Sequence, residues 1–96
     1  MNEKLLQIIN YYGVDNQLKH FIGEVYELIE AIHFDEYFTL NEEDKEDALE
    51  HIKEEIGDLQ TMLDQFKLLY NATEEEIESV KAFKIDRQIR RIEESK

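Results

Sequence analysis

The chain has 96 residues, with no Cys, no Pro, three Gly, 42% apolar residues and a formal charge of −13. That length suits one small domain; the missing cysteines exclude a disulfide framework or a thiolate metal site; and so acidic a balance argues against a nucleic-acid polymer as partner, which needs clustered Lys and Arg. Few helix breakers and abundant Glu and Lys predict an all-α protein, and with no apolar run near the ~20 residues that cross a bilayer and no signal-peptide pattern, the expectation is a cytoplasmic protein without a membrane partner.

In chain order, the first predicted helix carries Leu5, Leu6, Ile8, Ile9 and Tyr12 at helical spacing and stops at Gly13. A second starts near Asp15 or Asn16, either suited to an N-cap, and runs to about Asp35. Its apolar residues Leu18, Phe21, Ile22, Val25, Leu28, Ile29 and Ile32 fall within about 60° of Val25 at ~100° per residue, predicting one core-facing stripe. Residues 34–44, including Tyr37, Phe38 and Leu40, read as a connection that keeps some apolar contact. Asn41 predicts the cap of a third helix, whose stripe is Leu49, Ile52, Ile56, Leu59, Leu63 and Phe66 and which ends near Tyr70. Thr73 followed by Glu76 is a capping box opening a fourth helix with Ile77, Val80, Ile85, Ile89 and Ile92. No low-complexity segment or long linker divides these elements, so residues 1–96 read as a single four-helix domain.

One phrase occurs twice, 31 residues apart: His20, Glu24, Val25, Glu27, Leu28 and His51, Glu55, Ile56, Asp58, Leu59. Each copy sets two carboxylates three residues apart, neighbours on a helix surface. Measured from Val25 and from Ile56, Glu24 and Glu55 fall near about −100° and Glu27 and Asp58 near about −160°, just outside the apolar stripe. If the two helices pack core to core, both acid pairs flank one seam. Four carboxylates there would repel one another unless a cation neutralised them, and oxygen-only ligands suit Mg²⁺ or Mn²⁺. Gly23, Ala31 and Gly57 are small residues nearby that could let a helix or ligand approach. His20 and His51 each precede an acid by four residues and can orient it by a hydrogen bond. Glu30 and His33 match the Glu-x-x-His of di-iron bundles, but no second copy accompanies them.

Charge is segregated along the chain. Residues 1–80 hold 21 acids against 5 bases, whereas residues 81–96 hold 6 bases against 3 acids. Lys81, Lys84, Arg87, Arg90 and Arg91 lie at helical spacings, with Lys84, Arg87 and Arg91 on one stripe. Such cations complement a helix C-terminus and equally suit the phosphates of an anionic substrate.

Glu24-Val-Tyr-Glu27 and Glu54-Glu55-Ile-Gly-Asp58, with Lys84-Ile-Asp-Arg87-Gln-Ile-Arg90 downstream and Gln17-Leu18 upstream, resemble the MazG-like all-α nucleoside triphosphate pyrophosphohydrolases, a group that includes the dimeric dUTPases and the dCTPases. The resemblance covers about residues 15–92 and departs at Gly23, where many members carry a further Glu, and in the absence of Trp. It implies a homodimer or homotetramer that hydrolyses a nucleoside triphosphate between its α and β phosphates, releasing a nucleoside monophosphate and pyrophosphate. It also implies Mg²⁺ (or Mn²⁺) held by Glu24, Glu27, Glu55 and Asp58, with Glu27 or Glu55 taking a proton from water. Lys84 and Arg87 would stabilise the leaving pyrophosphate, and Gln17, Lys81 and Arg91 join them as substrate-binding residues. Tyr11, Tyr12, Phe38 and Tyr70 are the aromatic candidates for a base pocket. Two other expectations compete with this one: a non-catalytic acidic helical module that engages a basic protein partner, and a relative that binds nucleotide without cleaving it.

Overall fold

The computed structural model describes residues 2–38 and 41–96, and these form four helices and no strand: α1 (Asn2–Tyr12), α2 (Val14–Phe38), α3 (Glu42–Leu69) and α4 (Glu74–Glu94). The chain divides into two compact units, Met1–Phe66 and Lys67–Lys96. No helix among the described residues is long and apolar enough to cross a membrane.

In the first unit, α1 buries Leu5 and Ile9 and packs against α2. Gly13 takes the left-handed conformation at φ +86°, which a residue without Cβ adopts at no steric cost. Its N–H donates to the Ile9 carbonyl at 2.8 Å, and its own carbonyl accepts from Gln17 N–H at 3.1 Å. One residue therefore closes α1 and opens α2, leaving no room for a separate cap. Asn16, expected as an N-cap, instead donates from Nδ2 to the Tyr12 carbonyl at 2.8 Å and satisfies the end of α1. Helix α2 continues through residues 34–38, which the sequence reading assigned to a connection, while Leu40 lies outside the described residues. Asn41 caps α3 as expected, its Oδ1 accepting from Asp44 N–H at 2.8 Å.

Helices α2 and α3 are antiparallel along a heptad seam. On α2 its positions are Gln17, Phe21, Glu24, Leu28, Ala31 and Asp35; on α3 they are Ala48, Ile52, Glu55, Leu59, Met62 and Phe66, all buried or half-buried. Steps of four and three residues keep one narrow row of side chains against the partner. Phe21 meets Phe66 edge-to-face with ring centroids 5.4 Å apart, and at the other end Lys45 Nζ lies 4.0 Å from Asp35 Oδ1.

This seam lies roughly 80° around each helix from the stripe read off the sequence. The expected core residues Leu18, Ile22, Ile29 and Ile32 of α2 and Leu49, Ile56 and Leu63 of α3 remain 41–57% exposed. The physical reason is that two helices cover only a narrow seam on one another, whereas this chain's apolar stripe is wider than that and continues onto the outer face.

In the second unit, Asn71 (φ 53°) ends α3, with Ala72 N–H donating to the Lys67 carbonyl at 2.9 Å. The expected capping box is complete: Glu76 N–H donates to Thr73 Oγ1 at 3.1 Å, and Thr73 N–H donates to Glu76 Oε1 at 3.0 Å. These bonds hold the Glu76 carboxyl below its ordinary value of 4.5. Lys67 pairs with Glu74 in the first turn of α4. No residue of α4 is buried, and Val80, Ile85, Ile89 and Ile92 are exposed.

Candidate metal centre

The shift of the seam moves the repeated acids from the edge of the interface into it. Glu24 and Glu55 occupy equivalent seam positions and are 9% and 7% exposed, in a unit whose other buried side chains are mostly apolar or amide. Asp58 follows Glu55 by three residues on the rim of the seam. One carboxylate oxygen from each of Glu24, Glu55 and Asp58 lies within 4.8 Å of the others.

Each histidine of the repeat lies against its own glutamate, and His20 is within hydrogen-bond distance of it. His20 Nε2 is 2.8 Å from Glu24 Oε1, and His51 Nε2 is 3.8 Å from Glu55 Oε1. The second oxygens, Glu24 Oε2 and Glu55 Oε2, are buried and have no hydrogen-bond partner among the described residues. An ionised carboxylate oxygen removed from water without a partner is costly, and the ordinary compensations are a proton or a cation. The Glu55 carboxyl is raised above its ordinary value of 4.5, first by burial and then by the charges of Glu27, Glu24 and Asp58, with His51 opposing. Orphaned oxygens in an all-carboxylate donor set fit a hard divalent cation such as Mg²⁺ or Mn²⁺. Glu27 stands apart from the three-acid cluster, although its charge acts on Glu55.

Two clefts open beside these acids. One, of about 350 Å³, is lined by Glu24 and Asp58 together with Ile8 and Tyr12 of α1 and Gln17, His20, Met62 and Gln65. The other, of about 570 Å³, is lined by Glu27, Glu30, Ala31, Phe34, His51 and Glu55. A third, of about 360 Å³, lies between Phe34, Phe38, Asp44 and Asp47 near His51. Tyr12 thus stands beside the acids, with Tyr11 edge-on against it at 4.8 Å. Phe38 stacks on Phe34 at 5.6 Å in the third cleft, and Tyr70 belongs to the second unit. Of the small residues noted near the repeat, Ala31 is buried in the seam, whereas a Cβ on Gly23 or Gly57 would meet nothing within 4 Å. His33 stacks edge-on with Tyr37 at 6.2 Å and is not among the clustered acids.

The basic residues lie on α4 in the second unit. Lys81 pairs with Glu78 at 3.1 Å, the Arg87 guanidinium lies 5.9 Å from the Phe83 ring centroid, and Lys84 and Arg91 are exposed. Gln17 is 3% exposed and donates from Nε2 to Gln65 Oε1 at 2.7 Å. Gln65 escaped the sequence reading because it falls in line with Asp58, outside the apolar stripe. Its side chain meets Gln17 of the neighbouring helix, a contact that no periodicity within α3 reveals.

Comparison with known protein families, curated proteins and solved structures finds no match to this chain.

Proposed function

We propose that this chain is a Mg²⁺-dependent nucleoside triphosphate pyrophosphohydrolase of the MazG-like type, cleaving between the α and β phosphates. The observation that carries the reading is the pair of buried glutamates, each beside the histidine of its own repeat and each with a second oxygen unpartnered among the described residues, next to a third acid. Glu24, Glu55 and Asp58 would hold the ion. When bound, Mg²⁺ supplies positive charge for the phosphates and lowers the pKa of a water. Glu27, outside the three-acid cluster yet near enough to act on Glu55, is the acid left to accept the proton of the attacking water. The assignment of Lys84 and Arg87 to the leaving pyrophosphate, and of Lys81 and Arg91 to phosphate binding, rests on the sequence pattern of the basic stripe.

A homodimer or homotetramer belongs to the same reading. What supports it is the apolar face of α2 and α3, seven Leu and Ile side chains wide, left in contact with water.

The test is incubation of the pure protein with canonical and modified nucleoside triphosphates plus Mg²⁺. Expected products are a nucleoside monophosphate and pyrophosphate in equal amounts, with turnover lost in Glu55→Gln. Absence of pyrophosphate from every substrate, or unchanged turnover in that variant, refutes the hydrolase. The competing reading, an acidic binding module for a basic protein, draws on the same exposed apolar face beside the acids. It predicts a salt-sensitive protein complex and no stabilisation by Mg²⁺.

A further inference from the structure

Two of the clefts along α2 and α3 share Ala31, Phe34 and His51, so they join into one trough. It exists because Ala31 and Ala48, the two smallest residues of the seam, stand where longer side chains fill the rest of it. The middle of the trough is apolar. Phe34 is 54% exposed and stacks on Phe38, itself 64% exposed, with ring centroids 5.6 Å apart. Two adjoining rings in water form an apolar patch rather than a scattered side chain.

Both ends of the trough are acidic: Glu27, Glu30 and Glu55 line one, Asp44 and Asp47 the other. Among the described residues no Lys or Arg pairs with Glu27, Glu30, Asp44 or Asp47, and Lys45 lies against Asp35 instead. Exposed acids by themselves describe only a solvated face. Glu55 is different, because it is 7% exposed and its Oε2 is buried with no hydrogen-bond partner among the described residues. A desolvated oxygen at one end, acids at the other and bare rings between them suit a ligand that is cationic at both ends and apolar in the middle. A metal ion answers to one end only and gains nothing from the rings.

We infer that this trough binds a linear aliphatic polyamine, with one terminal ammonium at Glu30 and Glu55, the other at Asp44 and Asp47, and the methylene chain across Ala31 and Phe34. The lengths agree. Asp47, His51 and Glu55 follow one another at steps of four on α3, which sets the two ends about 12 Å apart. An extended triamine with a butyl and a propyl segment, advancing about 1.2 Å per bond, spans about 11 Å between its terminal nitrogens. Each ammonium donates up to three hydrogen bonds, and its carboxylate partners can only accept. The internal ammonium of such a chain passes the Phe34 ring, whose face attracts a cation. This inference does not depend on the nucleotide reading, since it concerns the metal-free protein and a different ligand.

The test is isothermal titration calorimetry of the full, metal-free chain at about pH 8 and about 0.1 M salt. The probes are spermidine, putrescine and hexaamminecobalt(III), a compact cation with the charge of spermidine and no methylene chain. Spermidine should bind at one molecule per chain, about tenfold or more tighter than either of the others. Phe34→Ala and Asp47→Asn should each weaken it by about fivefold. Glu50→Gln, which removes the same charge as Asp47→Asn from an acid paired with Lys53 outside the trough, should leave it unchanged. Circular dichroism checks that each variant is folded, and Phe34→Leu, which loses the ring but keeps apolar bulk, replaces Phe34→Ala if that variant is not. Equal binding of spermidine and hexaamminecobalt(III), or equal effects of Asp47→Asn and Glu50→Gln, would mark the diffuse field of an acidic chain and overturn the inference. No binding of spermidine overturns it too, and an oligo-arginine peptide that binds where spermidine does not would mark a protein-docking face instead. Neither nucleotide nor metal enters these measurements, so their failure leaves the hydrolase standing, and absence of turnover leaves the polyamine site standing.

Discussion

Ile29→Lys tests whether the apolar face of α2 and α3 is covered by a second copy of the chain. Ile29 is 43% exposed and lies on the outer side of α2, away from the seam. Burying a whole Ile side chain is worth roughly 1.5–3 kcal/mol, so covering the part still in water is worth about 1 kcal/mol per copy. In a two-fold dimer the substitution acts twice and also places a charge in the interface, adding several kcal/mol. The total, about 3–5 kcal/mol, weakens association by roughly two to four orders of magnitude. Within a single chain the same side chain already faces water, so the helical content of the dilute variant should match that of the parent. Sedimentation equilibrium over about 1–100 µM reads the association, and circular dichroism of the dilute samples reads the helical content. A parent that is monomeric throughout, or a variant of unchanged association, refutes the reasoning, because the outer face would then be exposed in solution.

Glu55→Gln should raise the stability of the metal-free protein at neutral pH. The folded carboxyl lies above 4.5, so between that value and its folded value the native chain keeps a proton that the unfolded chain has lost. Stability from this group is therefore greatest below 4.5 and falls as pH rises through the window; denaturant titrations in EDTA should show the difference between parent and variant closing at acid pH, and a variant less stable at pH 7 would contradict the account. Mg²⁺ should raise the melting temperature of the parent but not of this variant. Thr73→Ala should cost about 1 kcal/mol by removing the N-cap of α4. Because Glu76 is held below 4.5 by Thr73, its contribution is present above that value and is lost as pH falls through the folded value, so the deficit of Thr73→Ala should shrink in acid when followed by circular dichroism. Gly23→Ala and Gly57→Ala should each stabilise the monomer by roughly 0.5–1 kcal/mol, since both are helical and a Cβ meets nothing within 4 Å. A loss of stability at protein concentrations that favour association, with a gain at dilution, would instead mark close approach of another backbone.

Helix number, the closing Gly13, the Asn41 cap and the Thr73–Glu76 capping box were legible in the sequence because each depends on bonds within a few residues. The placing of each repeat histidine beside its glutamate was legible for the same reason, since four residues make about one helical turn, although only His20 comes within hydrogen-bond distance. The start of α2, at Val14, falls one residue before Asp15, whereas the capping role expected of Asn16 did not hold, because the tight turn at Gly13 brings its side chain to the Tyr12 carbonyl that ends α1.

The repeat, its spacing and the equal phase of its acids follow from the sequence alone, because helical geometry fixes angle from residue number. Which angle faces the neighbouring helix does not. A helix with a wide apolar stripe bordered by acids can turn either side toward its partner, and the choice depends on the summed packing of α1, α2 and α3. Here that packing leaves Ile22 and Ile56 in water and draws Glu24 and Glu55 into the seam. The same packing buries Gln65 against Gln17, although its own helix marks it as a surface residue. Charge pattern was thus written in the chain, while desolvation of those charges arises only when residues distant in sequence pack together and exclude water from them.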